Sequence, residues 1–491
     1  MSNRLPGRAR GGHDARRIAV AAGASARRNW LFVLLLATGI GLRALVGLAY
    51  SPAFLDSDAY AYLERSVTLS PAGSFHPFLY PLFMRPLIVP GTVAWIPVVQ
   101  HGIGIMVAAL LYTALSRIGV PRPVAALGVA PVLLDGYQLL FEHEVLSETL
   151  FELFAVGALI VLVWGDRPTY VNAGAAGVLA GAASLTRFVG LSLIVAMLVY
   201  AAIRRFGWRR LATLVACFGA TLGIYAVALG AATGSAKLTD RNGFFLYGRV
   251  VEFADCSDVR VPREERVFCP RAGREPTGTG LFESGLPDRV RQDPRYNAQA
   301  LAFSKRMILA MPGSYAKSVG SDFLDFFLPG QPVSRRSDDD KWRFPTTVTG
   351  MGARGYAARH DTAPPPATRI RLDFSLDGSI VPFLRSYQKV VWSWGPLLAA
   401  ELVLGLVGAA LGWRRRAGRT LAPEALLFSL AGIGVLLFPP LFAVYHFRYA
   451  IPAVPLLAAG AAVGAAVVHE RVVSAVRSPR LARRKRAHAP Q

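Results

Sequence analysis

Apolar stretches about twenty residues long recur along the chain between short polar or basic links, and each can cross roughly 30 Å of hydrocarbon. They predict ten spans, at about 30–50, 93–115, 123–141, 146–164, 170–186, 188–203, 211–233, 391–412, 425–443 and 449–468. The first lies behind a long polar flank and lacks a small-residue cleavage site, so it reads as a membrane anchor and not a signal peptide. Spans five and six are short and separated by Arg187. They also fit one re-entrant unit, which leaves the orientation unchanged. The predicted fold class is an all-α polytopic membrane protein with about ten transmembrane helices and an external mixed domain between spans seven and eight.

The spans divide the chain into a basic tail at 1–29, a membrane module at 30–233 with an external loop at 51–92, and an external soluble domain at 234–390. A second membrane bundle at 391–468 and a basic tail at 469–491 follow. Composition agrees: 53% of the 491 residues are hydrophobic and only 17% charged, and mean hydropathy is +0.38. A soluble multidomain enzyme would carry about a quarter charged residues.

The net charge of +23 would suit nucleic acid, but its distribution argues otherwise. With the N-terminus inside, the links at 1–29, 116–122, 164–168, 204–210, 413–419 and 469–491 carry 25 Lys or Arg against three acids, Asp14, Asp166 and Glu470. The opposite-side loop 232–390 mixes both signs. That asymmetry is the positive-inside pattern. Both termini are therefore expected in the cytoplasm, with Arg483-Arg484-Lys485-Arg486 near anionic headgroups or serving only to fix topology.

Of the three cysteines, Cys217 falls within span seven, while Cys256 and Cys269 share the external loop, where a disulfide persists. With no His or third Cys near that pair, a metal site is disfavoured. A bridge there would contribute roughly 3 kcal/mol in the chain-entropy model. The sequence has no P-loop, Rossmann glycine pattern, HExxH or GxSxG. Pro364-Pro365-Pro366 reads as a stiff spacer and Asp338-Asp339-Asp340 as a solvated turn.

Candidate chemistry gathers at the external membrane face. Arg187, in Leu185-Thr186-Arg187, ends span five, and Arg448, in His446-Phe447-Arg448-Tyr449, starts span ten. A lone arginine at a helix end commonly snorkels to the interface. Two at one face suit a phosphate, which guanidinium groups grip with paired hydrogen bonds. The first external loop opens with Asp56, Asp58, Tyr60 and Tyr62, followed by His76-Pro77-Phe78-Leu79-Tyr80-Pro81. Helix capping by Asp56 or Ser57 would explain one acid but not both. Glu142-His143-Glu144 and Ser147-Glu148-Thr149 lie at the entry to span four. Carboxylates gathered this way suit a hydroxyl-activating base or a cation site.

Taken in order, the acid-Tyr loop, the His-Pro-Phe-Leu-Tyr-Pro segment, Ser147-Glu148-Thr149-Leu150-Phe151, Leu185-Thr186-Arg187 and Phe447-Arg448-Tyr449-Ala450-Ile451-Pro452 resemble the GT-C superfamily of integral-membrane glycosyltransferases. The likeness is to its protein-mannosyltransferase and aminoarabinose-transferase branch, over roughly 30–205 and 425–468. The Ala, Arg and Gly content also resembles that of high-GC actinobacterial proteins. The resemblance implies a GT-C-like fold and transfer of a sugar from a polyprenyl-phosphate carrier to a glycan, lipid or protein hydroxyl at the external face of the plasma membrane.

It implies Asp58 as base, because it stands nearest the Tyr pair as the family's acid does, with Asp56 second; the branch often shows Asp-Glu where this chain has Asp58-Ala59, which leaves the choice between the two acids open. It further implies Arg187 and Arg448 on the donor phosphate, and Glu144, Glu148 and His143 as second acid or acceptor groups. Tyr60, His76, Tyr80, His446 and Tyr449 are expected to line the substrate pocket. No cofactor is expected beyond the lipid-linked donor, no metal motif is found, and nucleic acid is not an expected partner. The competing readings are a lipid-linked sugar transporter or flippase, and a non-catalytic envelope-assembly protein. Against transport, the charges cluster at one face and no inverted repeat is visible.

The topology is testable by labelling. Cysteines introduced at Ser235 and Ser337 should react with an impermeant maleimide outside intact cells, and one at Ser478 only after lysis. Labelling of position 478 from outside would invert the map.

Overall fold

The computed structural model describes residues 27–487, except 56, 71–74, 166–167, 235, 258, 271–285, 292, 330–341, 353–369, 371, 414–419 and 444. Helix α1 (Trp30–Ala49) is followed by two outer-loop helices, α2 (Ser57–Thr68) and α3 (Leu79–Ile88). Then come α4 (Trp95–Ile118), α5 (Arg122–Leu134), α6 (Gly136–His143), α7 (Glu148–Val163), α8 (Tyr170–Thr186), α9 (Leu193–Ile203) and α10 (Trp208–Thr233). The stretch after α10 carries α11 (Asn242–Val250), α12 (Asn297–Ala310), α13 (Pro312–Asp325) and α14 (Val381–Val390). The final bundle is α15 (Gly395–Trp413), α16 (Ala422–Phe442) and α17 (Val454–Ala487).

Among the described residues, six helices are long and apolar enough to span a bilayer: α1, α4, α10, α15, α16 and the run Phe447–Val473 that feeds into α17. Helices α5 and α6 form a seventh if read as one span bent by 49°. The bend has local causes. Pro131 removes a backbone donor, and the Asp135 side chain accepts from the N–H groups of Tyr137 (2.7 Å) and Gln138 (3.1 Å), which starts a new helix. At the remaining expected spans stand shorter apolar helices: α7 with 16 residues, α8 with 17, and the run Phe188–Ile203 that contains α9. At 1.5 Å per residue, 16 residues reach about 24 Å, less than a full hydrocarbon layer.

Helix pairs pack where small residues let backbones meet. A Cβ on Gly177 would stand 2.3 Å from the Leu214 carbonyl of α10, and one on Gly408 would stand 2.3 Å from Gly464 Cα of α17. Helix α10 buries only Leu214 and Leu229 and exposes Ile224 and Val227, a surface suited to lipid.

The stretch 234–390 contributes to two cores. Phe244, Tyr247, Phe268, Phe303 and Met307 form a small separate core, flanked by the Cys256–Cys269 disulfide (Cα–Cα 5.9 Å). Trp342, Phe344, Met351, Val381 and Leu384 instead join the core of the membrane helices. There Tyr50–Ser51 (β1) pairs antiparallel with Ser375–Leu376 (β2), and Phe54 bridges to Glu144. These ladders hold the start of the outer loop against α6 and α7. Strand structure among the described residues amounts to these short pairings.

A buried ionic knot ties α1 to the bent span. Arg43 grips Glu142 through Nε (2.7 Å) and Nη2 (2.6 Å), and its remaining donors reach the carbonyls of Gly39, Val132 and Leu133. His101 Nδ1 lies 2.8 Å from the same carboxylate, and the Gln138 amide donates to Glu142 and Glu152. Removing one partner of such a pair typically costs about 3–5 kcal/mol, because a charge is left uncompensated. Glu142→Leu should therefore lower the melting temperature of the detergent-solubilised protein sharply, and Arg43→Met/Glu142→Leu should recover most of it. A double variant no more stable than the single one would refute that account.

Candidate functional site

The site forms where α2, the start of α7, the end of α8 and the turn before α17 converge. Asp58 sits in the first turn of α2, immediately beyond α1. Arg448 lies in the 3-10 turn Phe447–Ala453, which His446 caps by accepting from the Arg448 N–H at 3.2 Å. The His446 ring is wedged against Trp342 and Tyr449, with centroids 5.2 and 5.9 Å away. Arg187 follows α8 directly in extended backbone, so its side chain leaves the helix axis.

Four charges are thereby interleaved. Arg448 Nη2 stands 2.6 Å from Asp58 Oδ2, and Arg187 Nη1 stands 2.6 Å from Glu148 Oε1. Arg448 Nε approaches Glu148 at 4.0 Å, which links the two pairs. Both guanidinium groups lie over the Tyr449 ring, Arg187 at 5.4 Å and Arg448 at 5.6 Å from its centroid, a cation–π arrangement that holds them side by side. Ser147 Oγ contacts Arg187 Nη1 at 3.2 Å and the Tyr62 hydroxyl at 3.1 Å. His76 Nε2 lies 3.5 Å from Asp58 Oδ2, with its ring against Tyr62.

Burial alone would raise the Asp58 carboxyl, but Arg448 and His76 outweigh it and hold it well below the usual carboxylate range. Burial, with Asp58 adding to it, pushes the Tyr62 hydroxyl up, so Tyr62 stays a neutral donor.

Beside these groups opens a cavity of about 690 Å³. Its rim carries Tyr62, His76, Arg187, Arg448 and Tyr449, and one wall is apolar, with Val189, Leu191, Phe438, Pro439 and Phe442. The outer stretch adds Lys237, Thr239, Asn242 and Lys305, together with Leu238, Phe245, Leu246 and Leu301. Paired guanidinium groups at the mouth of an apolar cleft can seat a phosphate whose substituent is a hydrocarbon.

Of the residues expected from sequence, the structure brings Asp58, Glu148, Arg187, Arg448, His76, His446 and Tyr449 together. Asp56 lies outside the described residues. Glu144 is buried at the end of α6 and bridges to Phe54, and His143 is buried 3.2 Å from His101. Tyr60 donates to the Gly352 carbonyl, and Tyr80 donates to Gln100 at 2.8 Å; neither lines the cavity. Sequence reasoning passed over Ser147, although it sits within a motif singled out there, and over Lys237 and Lys305, for which charge-mixed surroundings gave no signal. Among the described residues no cluster of three or more His, Cys, Asp or Glu is disposed to hold a metal.

No protein-family model matches the chain, and no curated protein matches it by sequence. Among solved structures it is similar to the Archaeoglobus fulgidus oligosaccharyltransferase tethered to an acceptor peptide containing the NVT sequon, at 12% identity and a TM-score of 0.40, over 89% of this chain and 49% of that one. The apo form gives 14% identity, a TM-score of 0.40, and coverage of 92% and 52%. The chain thus spans about half of that protein, and a likeness at this level assigns it neither fold nor chemistry.

The ion pair makes the charge of Asp58 testable. Isotope-edited infrared titration should find Asp58 still ionised well below the ordinary aspartate midpoint, and Arg448→Gln should move its protonation upward, since only burial and His76 then act. An unchanged midpoint in Arg448→Gln would remove Arg448 as the cause.

Proposed function

We propose that the protein is an integral-membrane glycosyltransferase of the GT-C type. It moves a sugar from a polyprenyl-phosphate carrier to an acceptor hydroxyl at the external face of the plasma membrane. The observation that carries this reading is the placement of Arg187 and Arg448 side by side over Tyr449, at the rim of a cavity with one apolar wall. The isoprenoid follows that wall and stays in hydrocarbon, so only the phosphate and sugar leave the lipid. Both arginines take the phosphate, and doing so draws Arg448 away from Asp58.

That exchange matters for the chemistry. A carboxylate held by a guanidinium is a poor proton acceptor, and losing part of that contact raises its basicity. Asp58 then receives the acceptor hydroxyl proton while the hydroxyl oxygen bonds to the anomeric carbon from the face opposite the phosphate. The bond from the anomeric carbon to the phosphate oxygen breaks, its electron pair stays with the phosphate, and the configuration inverts. The fixed guanidinium groups stabilise the added charge. His446 and Tyr449 position the arginines, and His76 positions Asp58. Asp56 remains the second choice for the base.

Purified protein offered a panel of polyprenyl-phosphate sugars should release polyprenyl phosphate. Asp58→Asn keeps the size of the side chain but removes the proton acceptor, so turnover should fall about 10²–10⁴-fold, while donor binding holds or tightens because Arg448 is freed from its ion pair. Arg187→Ala and Arg448→Ala should weaken donor binding as well, because the phosphate is charged in both ground and transition states. A greater loss in Asp56→Asn would exchange the roles of the two acids. Near-normal transfer by Asp56→Asn/Asp58→Asn would overturn the mechanism. Lipid movement across proteoliposomes without any transfer would favour a transporter.

A further inference from the structure

The cavity lining carries four basic side chains, Arg187, Lys237, Lys305 and Arg448, yet among the described residues no carboxylate lines it. Two of the four are matched from behind: Arg187 by Glu148 and Arg448 by Asp58. Lys237 and Lys305 are not. Asp240, three residues from Lys237, is engaged by Arg241 at 3.8 Å, and Glu265 is engaged by Arg306, the neighbour of Lys305, at 3.0 Å. Among the described residues neither lysine makes an ion pair. Two ammonium groups facing one cavity repel each other unless an anion sits between them.

Their position decides which part of the ligand they meet. The arginines and the apolar wall belong to membrane helices, whereas Lys237 lies between α10 and α11 and Lys305 on α12, both in the outer stretch. Thr239 and Asn242 share that outer stretch, and Asn297 Nδ2 and the Gly243 N–H occupy the Asn242 Oδ1, so its own amide N–H groups remain available as donors. The outer stretch thus brings these polar donors to the cavity, interspersed with Leu238, Phe245, Leu246 and Leu301.

We infer that Lys237 and Lys305 form an anion-binding subsite, distinct from the donor-phosphate site, that selects a carboxylate- or phosphate-bearing acceptor. The inference rests on the transferase reading and deepens it by giving the acceptor a charge. Donor phosphate then sits with the arginines of the membrane elements and the acceptor anion with the lysines of the outer stretch, in one cavity, and the acceptor hydroxyl lies between them. Both lysines are exposed at their outer ends, so the preference they give is modest and falls with added salt.

The test uses the full chain in zwitterionic nanodiscs and two probes that differ by one carboxylate, octyl glucuronide and octyl glucoside. Isothermal titration should show the glucuronide binding about three- to tenfold more tightly. Lys237→Gln/Lys305→Gln should abolish the preference while leaving polyprenyl-phosphate binding unchanged. Equal binding of the two probes by the unaltered protein, including no binding of either, would overturn the inference. A matching loss of polyprenyl-phosphate affinity in the double lysine variant would also overturn it, by placing the lysines on the donor. Unaltered polyprenyl-phosphate binding in Arg187→Ala/Arg448→Ala would instead sink the transferase reading, so the two failures are separable.

Discussion

An arginine buried beside hydrocarbon needs its charge met at contact distance, most strongly by a carboxylate, because an isolated charge there is too costly to keep. The structure meets this requirement repeatedly: Arg43 with Glu142, Arg187 with Glu148, Arg204 with Glu424 and Arg448 with Asp58. What differs is whether the pair can be opened. The Arg43 and Glu142 side chains are 3% and 0% exposed, and backbone carbonyls take the remaining donors of Arg43, so this pair serves only to hold α1 to the bent span. Arg448 and Asp58 are 13% and 21% exposed beside a cavity, so an anionic ligand can replace the carboxylate. One constraint thus yields a fixed tie in one place and an exchangeable site in another.

The proposed exchange depends on the carboxylates being fixed on different elements from the arginines. Asp58 depends on α2, whose approach is set by the β1–β2 pair and the Phe54–Glu144 bridge. Glu148 begins α7, and the two arginines arrive from the end of α8 and from the turn before α17. The small outer core is anchored to the same region. Buried Arg249 of α11 pairs with Asp322 of α13, whose carboxylate also accepts from the Tyr445 N–H at 2.9 Å, three residues before Arg448. These contacts tie the outer stretch to the turn that carries Arg448.

Much of this was legible in the sequence, for a physical reason. Apolar runs of span length cannot be hidden, so helices were expected at the places where they stand. Ionisable groups near membrane depth are few, and that scarcity drew Asp58, Arg187, Arg448 and Glu148 out of a long chain. Their pairing was not legible, because Asp58 and Arg448 are joined only by tertiary packing. Tyr60 and Tyr80 matched a motif, but their hydroxyls answer to a carbonyl and an amide away from the cavity. The division of the outer stretch into two cores rests on Trp342 and Phe344, single aromatics in irregular chain with no periodicity to betray them. Lys237 and Lys305 gained meaning only from what failed to surround them.

The central claim is that donor phosphate displaces Asp58 from Arg448. A cryo-electron-microscopy structure of the full chain with polyprenyl phosphate bound tests it most directly. The account predicts phosphate oxygens at hydrogen-bond distance, roughly 2.7–3.2 Å, from both Arg187 and Arg448. It also predicts that Asp58 Oδ2 has parted from Arg448 and that the isoprenoid runs along Phe438 and Phe442. A phosphate seated elsewhere, with the Asp58–Arg448 pair still closed, would contradict it.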